Sequence, residues 1–263
     1  MSAQQKISVI TICFNNPEDL KSTCSSVDIQ ESTPFEHIIV NGSTTKDIEL
    51  WANNSPQPHY RKFIHERDKG IADAFNKGIL ASSGDIIVLL NSADTFANSG
   101  VTAEVLRAFE KDPELTWTHA KYRFQRGGIW VTLGKPHNPD LIYRGMRAIC
   151  HQTMFVKRKL YDTYGLYDIN LKVGMDFDFL VRIRNEKFAF LDSVMVVFAP
   201  GGASVLNVRK GLDENSQSIK KHIGFSLKHY LWKMRILFLS GLLQSSFGKF
   251  LYKIKVRLKL ENV

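Results

Sequence analysis

Residues 7–14, ISVITICF, form an unbroken run of apolar and β-branched side chains with a single serine, ending at Asn15-Asn16-Pro17. A strand with no polar alternation has no solvated face, so it belongs inside a sheet covered on both sides. The run DIIVLL at 85–90 repeats the pattern and ends at Asn91-Ser92-Ala93-Asp94. Two shorter strands lie between them, EHIIV at 36–40, closed by Asn41-Gly42-Ser43, and a third segment at 60–65. Helical signals separate the strands. Pro17-Glu18-Asp19-Leu20 reads as a helix start, residues 46–54 and 101–109 read as helices, and so does 73–81, where Ala72, Phe75 and Ile79 share a face. Strands alternating with helices over the first 110 residues predict an α/β fold with a mostly parallel, doubly wound sheet. Ligands in such sheets bind beyond the carboxyl ends of the strands. The polar loops at 15–16, 41–45, 66–70 and 91–94 are therefore expected to converge on one crevice.

After residue 110 the pattern changes. Residues 116–124 and 128–133 read as antiparallel strands, Cys150–Val156 as a strand, 175–184 as a helix and 188–198 as strands. The chain has 263 residues, 44% hydrophobic and 23% charged, enough for one large domain with an appendage. Its net charge of +9 is unevenly placed: from Arg209 onward twelve Lys and Arg face three Asp and Glu, whereas residues 1–208 are neutral. The boundary is expected near Ala199-Pro200-Gly201-Gly202. In the tail, Ile223, Leu227, Leu231, Met234, Phe238 and Leu242 recur at helical spacing among Lys220, Lys221, Lys228, Lys233 and Arg235. A second segment, Phe247–Leu260, mixes Phe250, Leu251, Ile254 and Leu258 with five basic residues. Basic amphipathic helices suit an anionic membrane surface, so residues 219–260 are read as a membrane-facing tail. The competing readings are helices packed on the body with a solvated basic face, or a polyanion partner. Without an RNP, KH or helix-turn-helix signature, no nucleic acid partner is expected. No run of about 18 apolar residues predicts a spanning helix. Three cysteines, Cys13, Cys24 and Cys150, make an odd count without CxxC spacing, which disfavours a disulfide framework or structural zinc. With no secretory signal after Met1, a cytoplasmic setting is expected.

The chemistry-bearing residues sit at strand ends. GxGxxG, GxxxxGK[ST], GxSxG and HExxH are all missing, which disfavours classical dinucleotide binding, P-loop phosphoryl transfer, serine hydrolysis and zinc proteolysis. Asp94, beyond an aliphatic strand, is placed either to hold a divalent cation through oxygen or to cap the next helix. Asn91 is either a neighbouring ligand or a ribose contact. Asp176 and Asp178, at a helix start, read either as macrodipole partners or as a general base for an attacking hydroxyl.

Taken together, Ile7–Asn15, the turn at Asn41–Ser43, DKGIADAFNKG at 68–78, GDIIVLLNSAD at 84–94, His151-Gln152 and Met175–Arg182 resemble family 2 glycosyltransferases of the GT-A fold. The similarity runs in consistent order over roughly residues 6–200. The resemblance implies a GT-A domain over 1–208, with 1–110 as the nucleotide-sugar half, 111–208 as the acceptor half, and a helical tail over 209–263. It implies an inverting transfer from a nucleotide sugar, commonly a UDP-sugar, with Mn²⁺ or Mg²⁺. Asp94 then matches the metal ligand and Asp176 the catalytic base. The donor-binding residues it implies are Thr11, Cys13, Asn15 and Asn41, then Asp68, Lys69, Gly70, Asp73 and Asn76, and finally Asn91 and Ser92. His151, Gln152, Asp178 and Arg182 fall on the acceptor side.

Two departures from the family pattern stand out. Asn41 replaces a frequent Asp that accepts the uracil N3–H; its carbonyl can still accept and its amide can donate to O4. Ala93 replaces a frequent Asp, which removes one carboxylate beside Asp94. With the basic tail, the family suggests a peripheral enzyme at the inner membrane face that extends a glycan or polyprenyl-linked acceptor. A homo-oligomer is compatible with the sequence. The alternatives are a nucleotidyltransferase, which would usually show a Gly-rich loop after the first strand, and a nucleotide-sugar-binding protein with a degraded site.

Overall fold

The computed structural model describes residues 5–146, 149–199 and 207–244. The chain begins with β1 (Ile7–Cys13), α1 (Pro17–Asp28), β2 (Glu36–Asn41), α2 (Asp47–Asn54), β3 (Arg61–His65), α3 (Ile71–Ala81) and β4 (Ile86–Leu89). β1 lies between β2 and β4, parallel to both, and β3 extends the parallel layer beyond β2. The residues explain this order. β1, β2 and β4 are buried almost throughout, as interior strands require, while β3 alternates and closes the edge.

The second half adds β5 (Thr95–Phe96), α4 (Val101–Lys111), β6 (Trp117–Arg126), β7 (Ile129–Leu133), β8 (Phe155–Lys157), α5 (Arg158–Tyr164), α6 (Met175–Ile183) and β9 (Phe188–Val197). Short β8 inverts the sheet's direction, pairing antiparallel with both β4 and β6. The full order is β3-β2-β1-β4-β8-β6-β9-β5, with β7 hairpinned onto β6. The expected strand over Cys150–Val156 is corrected: His151–Thr153 form a 3₁₀ turn, and only Phe155–Lys157 pair as strand. That turn carries two candidate site residues. β5 and α5 have no clear sequence signal, whereas the 3₁₀ turn at Pro139–Arg144 carries one, Asn138 as its cap followed by Pro139. Two residues are too few to show a period, and α5 has no N-cap side chain to announce it.

Two apolar layers sandwich the sheet. One centres on Phe75, Ile10, Ile38, Trp117 and Phe179, the other on Val9, Val88, Val105, Phe109 and Phe155. Burying side chains of this size contributes roughly 1.5–3 kcal/mol each.

The basic region begins with two helices, α7 (Val208–His222) and α8 (Leu227–Gln244). Ile223 ends the first helix, so the expected continuous period from Ile223 is broken there. α7 packs along α6 and buries Glu214, Ser218 and Ile219. On and just before α8, Phe225, Leu227, Leu231, Met234 and Phe238 stay exposed, Phe225 at 86%. No described helix is long and apolar enough to cross a membrane. The Phe247–Leu260 segment and most of the expected boundary loop lie outside the described residues.

Candidate active site

Because β1, β2 and β4 run parallel, their carboxyl ends and following loops share one edge of the sheet. Asn15 ties two of these loops together. Its N–H donates to Ser43 Oγ at 2.8 Å, and its Oδ1 accepts from Thr44 N at 2.9 Å. Asn15 has φ 53°, a left-handed conformation that Asn tolerates better than most residues. Asn41 is buried, accepts from Ser43 N at 3.0 Å and meets His65 Nδ1 at 3.0 Å through its amide nitrogen. Asp68 closes over this turn. A Cβ on Gly42 would sit 1.9 Å from Asp68 Oδ2, so any larger residue would push the Asp68 carboxylate off this turn.

Asp68 also accepts from Gly70 N, and Asp73 accepts from Lys69 N, which shapes the entry to α3. Asn76 faces elsewhere: its amide exchanges two hydrogen bonds with the Tyr167 backbone, at 2.8 and 3.0 Å. Thr11 and Cys13 also point inward. Thr11 bonds His37 Nε2 at 2.9 Å, and burial pushes the Cys13 thiol up to about 12. Of the donor-binding residues expected, Asn15, Asn41, Asp68, Lys69, Gly70 and Asp73 form the loop cluster, whereas Thr11, Cys13 and Asn76 serve as internal ties.

At the end of β4, Asn91 Oδ1 and Ser92 Oγ are buried without hydrogen-bond partners. Asp94 follows, 3% exposed. Its Oδ2 accepts from Gln152 Nε2 at 2.6 Å and its Oδ1 from Ala199 N at 2.8 Å. Burial raises its carboxyl, and these donors offset only part of the rise. Thr23 holds the Asp94 carbonyl at 2.8 Å.

The neighbouring residue of the same 3₁₀ turn, His151, reaches the other acid. Its Nδ1 lies 2.9 Å from Asp176 Oδ2, at the start of α6. The side chain of Asp176 is 17% exposed, and its Oδ1 has no partner. Burial pulls the His151 imidazole down, but the charge and hydrogen bond of Asp176, with the charge of Asp94, carry it above its ordinary value. His151 Nε2 faces the Asn91 amide nitrogen at 3.4 Å. The ring of Phe75 stands edge-on to His151 at 5.7 Å and fixes its place.

The two remaining acceptor-side candidates lie on the far face of α6. Asp178 is buried between Arg182, at 3.1 Å, and His222 Nε2, at 2.9 Å. Arg182 also donates to the carbonyls of Tyr164, Gly165 and Leu166. Thus Asp94, Gln152, His151, Asp176, Asn91 and Ser92 come together, and Asp178 and Arg182 anchor the helix beneath them. Sequence reasoning missed Ala199, Glu214 and His222. An amide donor has no side-chain signature, and the other two lie in a helix read as tail.

The family model described as Glycosyl transferase family 2 matches residues 8–165, a span that includes Asp94 and His151 and ends before Asp176. A glycosyltransferase of Mycobacterium tuberculosis, described as uncharacterized, is 31% identical over 191 residues, covering 69% of this chain and 70% of its own. Among solved structures, the Pyrobaculum calidifontis mannosyltransferase PcManGT, in complex with GDP-Man and Mn²⁺, superposes with a TM-score of 0.63 at 14% identity, covering 99% of this chain and 82% of that one. Staphylococcus aureus TarS 1–349 in complex with UDP-GlcNAc gives a TM-score of 0.61 at 16% identity, covering 88% of this chain and 71% of that one. At such identities the likeness concerns the fold, which is that of the GT-A glycosyltransferases.

Proposed function

The chain belongs to glycosyl transferase family 2, and from that premise we propose that it transfers a sugar from a UDP-sugar to an acceptor hydroxyl with inversion, Asp176 acting as the base. The observation that carries this reading is the state of Asp176 itself. One carboxylate oxygen is held by His151, and the other is buried and has no partner, so its lone pairs are uncommitted. A carboxylate so placed can take the proton of an attacking hydroxyl while His151 keeps it oriented. Attack then comes from the face of the anomeric carbon opposite the leaving diphosphate, and the configuration inverts, by the logic that separates base and leaving group in inverting glycosidases.

The donor half is the loop cluster of Asn15, Asn41, Asp68, Lys69, Gly70 and Asp73, with Asn91 and Ser92 at the floor. Uridine as the nucleoside is supported by the UDP-GlcNAc complex of TarS. A metal fits at Asp94. Each of its oxygens accepts one hydrogen bond, from Gln152 or from Ala199, and keeps a further lone pair, so Asp94 is the residue that would hold the ion. When bound, Mn²⁺ or Mg²⁺ would neutralise the charge that develops on the departing diphosphate. The use of Mn²⁺ by PcManGT supports this assignment.

The tail supports a membrane-bound acceptor. The exposed apolar residues of α8 lie among Lys228 and Arg235, with Lys233 paired to Asp213, which suits an anionic surface at the inner face of the cell membrane. A glycan on a polyprenyl or similar lipid carrier fits such a surface. The second reading, a nucleotide-sugar binder without turnover, draws on Asp94, whose two oxygens are both already engaged.

Release of UDP from a panel of UDP-sugars, with and without Mn²⁺, separates the two: turnover supports transfer, and binding without release supports the second reading. Flotation with vesicles rich in anionic lipid tests the tail. The wild-type chain should float, and the double variant Leu231→Asp/Phe238→Asp should stay in solution. Equal flotation of both would overturn the membrane assignment.

A further inference from the structure

The first turn of α6, which carries Asp176, begins without a side-chain cap of its own, because its N-cap residue is Gly174. The free N–H groups at such a start need acceptors. One of them, the N–H of Gly174, receives its acceptor from another helix, which also holds the two amides just before it. Glu214, on α7 and only 6% exposed, accepts from Gly174 N at 2.7 Å, from Val173 N at 2.8 Å and from Lys172 N at 3.1 Å. A buried carboxylate that takes three backbone N–H groups makes charge-assisted bonds and also faces the positive end of the helix dipole. The fit is close. A Cβ on Gly174 would lie 2.9 Å from Glu214 Cβ, and one on Gly211 would lie 3.2 Å from Val173 Cγ1.

α7 grips the same helix a second time. His222 Nε2 reaches Asp178 Oδ1 at 2.9 Å, and Asp178 is also held by Arg182. Asp176 lies between Gly174 and Asp178, two residues from each. Both ends of the segment that presents it are therefore fixed by α7, and His151 meets it from the opposite side.

We infer that Glu214 is a positioning residue for Asp176: by clamping the Lys172–Gly174 amides it sets where the Asp176 carboxylate stands against His151 and the acceptor hydroxyl. The inference rests on Asp176 being the base. It makes α7 part of the catalytic apparatus, although the helix follows the expected domain boundary and lies outside the span that matches the family model. A displacement of about 1 Å at a reacting group is enough to cost about 10²-fold in rate.

The test uses the full-length protein and the variants Glu214→Ala, Glu214→Gln and Asp176→Asn. Glu214→Gln keeps the volume of the side chain and carries the test if Glu214→Ala does not fold. Two readouts are needed. The first is the kcat for UDP release from the UDP-sugar that turns over fastest, set against UDP affinity by calorimetry. The second is the His151 ring titration by NMR without metal. It needs no turnover, and the acids facing that ring are Asp176 and Asp94.

The expected result is a kcat lower by about 10- to 100-fold with UDP affinity within about twofold, and a His151 titration shifted down toward that of Asp176→Asn. The inference is overturned if a folded Glu214 variant keeps the wild-type kcat and titration. It is also overturned if kcat and UDP affinity fall together while the titration holds, because Glu214 then serves the fold alone. Wild-type turnover in Asp176→Asn would sink the base assignment instead, leaving the titration to judge the clamp.

Discussion

The end of β4 and the start of α6 each bring one acid to the same 3₁₀ turn, and they hold it in opposite ways. Asp94 is sealed, with Gln152 and the Ala199 amide on its two oxygens. Asp176 is half-secured, with His151 on one oxygen and nothing on the other. A fully paired carboxylate is a fixture whose charge can attract a cation. One whose second oxygen is buried but unpartnered keeps lone pairs uncommitted, as the proposed role of base requires. Adjacent residues, His151 and Gln152, create the difference, so one turn gives two identical functional groups different surroundings.

The sharpest way to break this comparison is Asp176→Asn. It keeps the shape and removes the basicity, so kcat should fall by about 10²–10⁴ while calorimetric UDP affinity holds. Wild-type turnover would end the base assignment. Phe75→Ala removes the ring behind His151 and opens a cavity in the layer around α3. Stability should drop by about 3–5 kcal/mol in denaturant unfolding, with the Asp176 side of the turn loosened more than the Asp94 side.

Asp94→Ala probes the sealed acid. UDP affinity in Mn²⁺ should fall by about 10- to 100-fold and should then match the metal-free value. If the variant still responds to Mn²⁺, the ion is held elsewhere.

A smaller effect separates the site from the fold as a whole. His119, buried on β6, is held neutral, with its titration lowered to about 3 by burial and by the charge of His137. A depressed histidine binds fewer protons folded than unfolded, so stability is full above the ordinary value near 6.5 and is lost as pH falls from there toward 3. His119→Gln can still accept the His137 N–H and should flatten that loss by up to about 1.4 kcal/mol per pH unit, measured as denaturation midpoints between pH 7 and 4.5. Neither acid should respond.

Much of the donor side was legible because its information is local. Apolar runs that end in Asn15, Asn41 and Asn91-Ser92-Ala93-Asp94 announce parallel strands and also name the loops that meet. The inward turn of Thr11 and Asn76 was not legible, since motif membership does not say which face of a strand or helix a residue occupies. His151 and Gln152 were found as a pair, yet within a segment read as strand. The 3₁₀ turn that aims them at different acids comes from tertiary packing.

The sequence alone announced the first four strands, their alternation with helices and the two acids as candidates, because hydrophobic periodicity and strand-end chemistry are written within a few residues of each other. The tertiary structure decided which acid is sealed, which keeps a spare oxygen, and that a helix of the basic region holds the latter in place. Those outcomes depend on contacts such as Asp94 with Ala199 and Gly174 with Glu214, between residues far apart in the chain, and no local pattern encodes such a meeting.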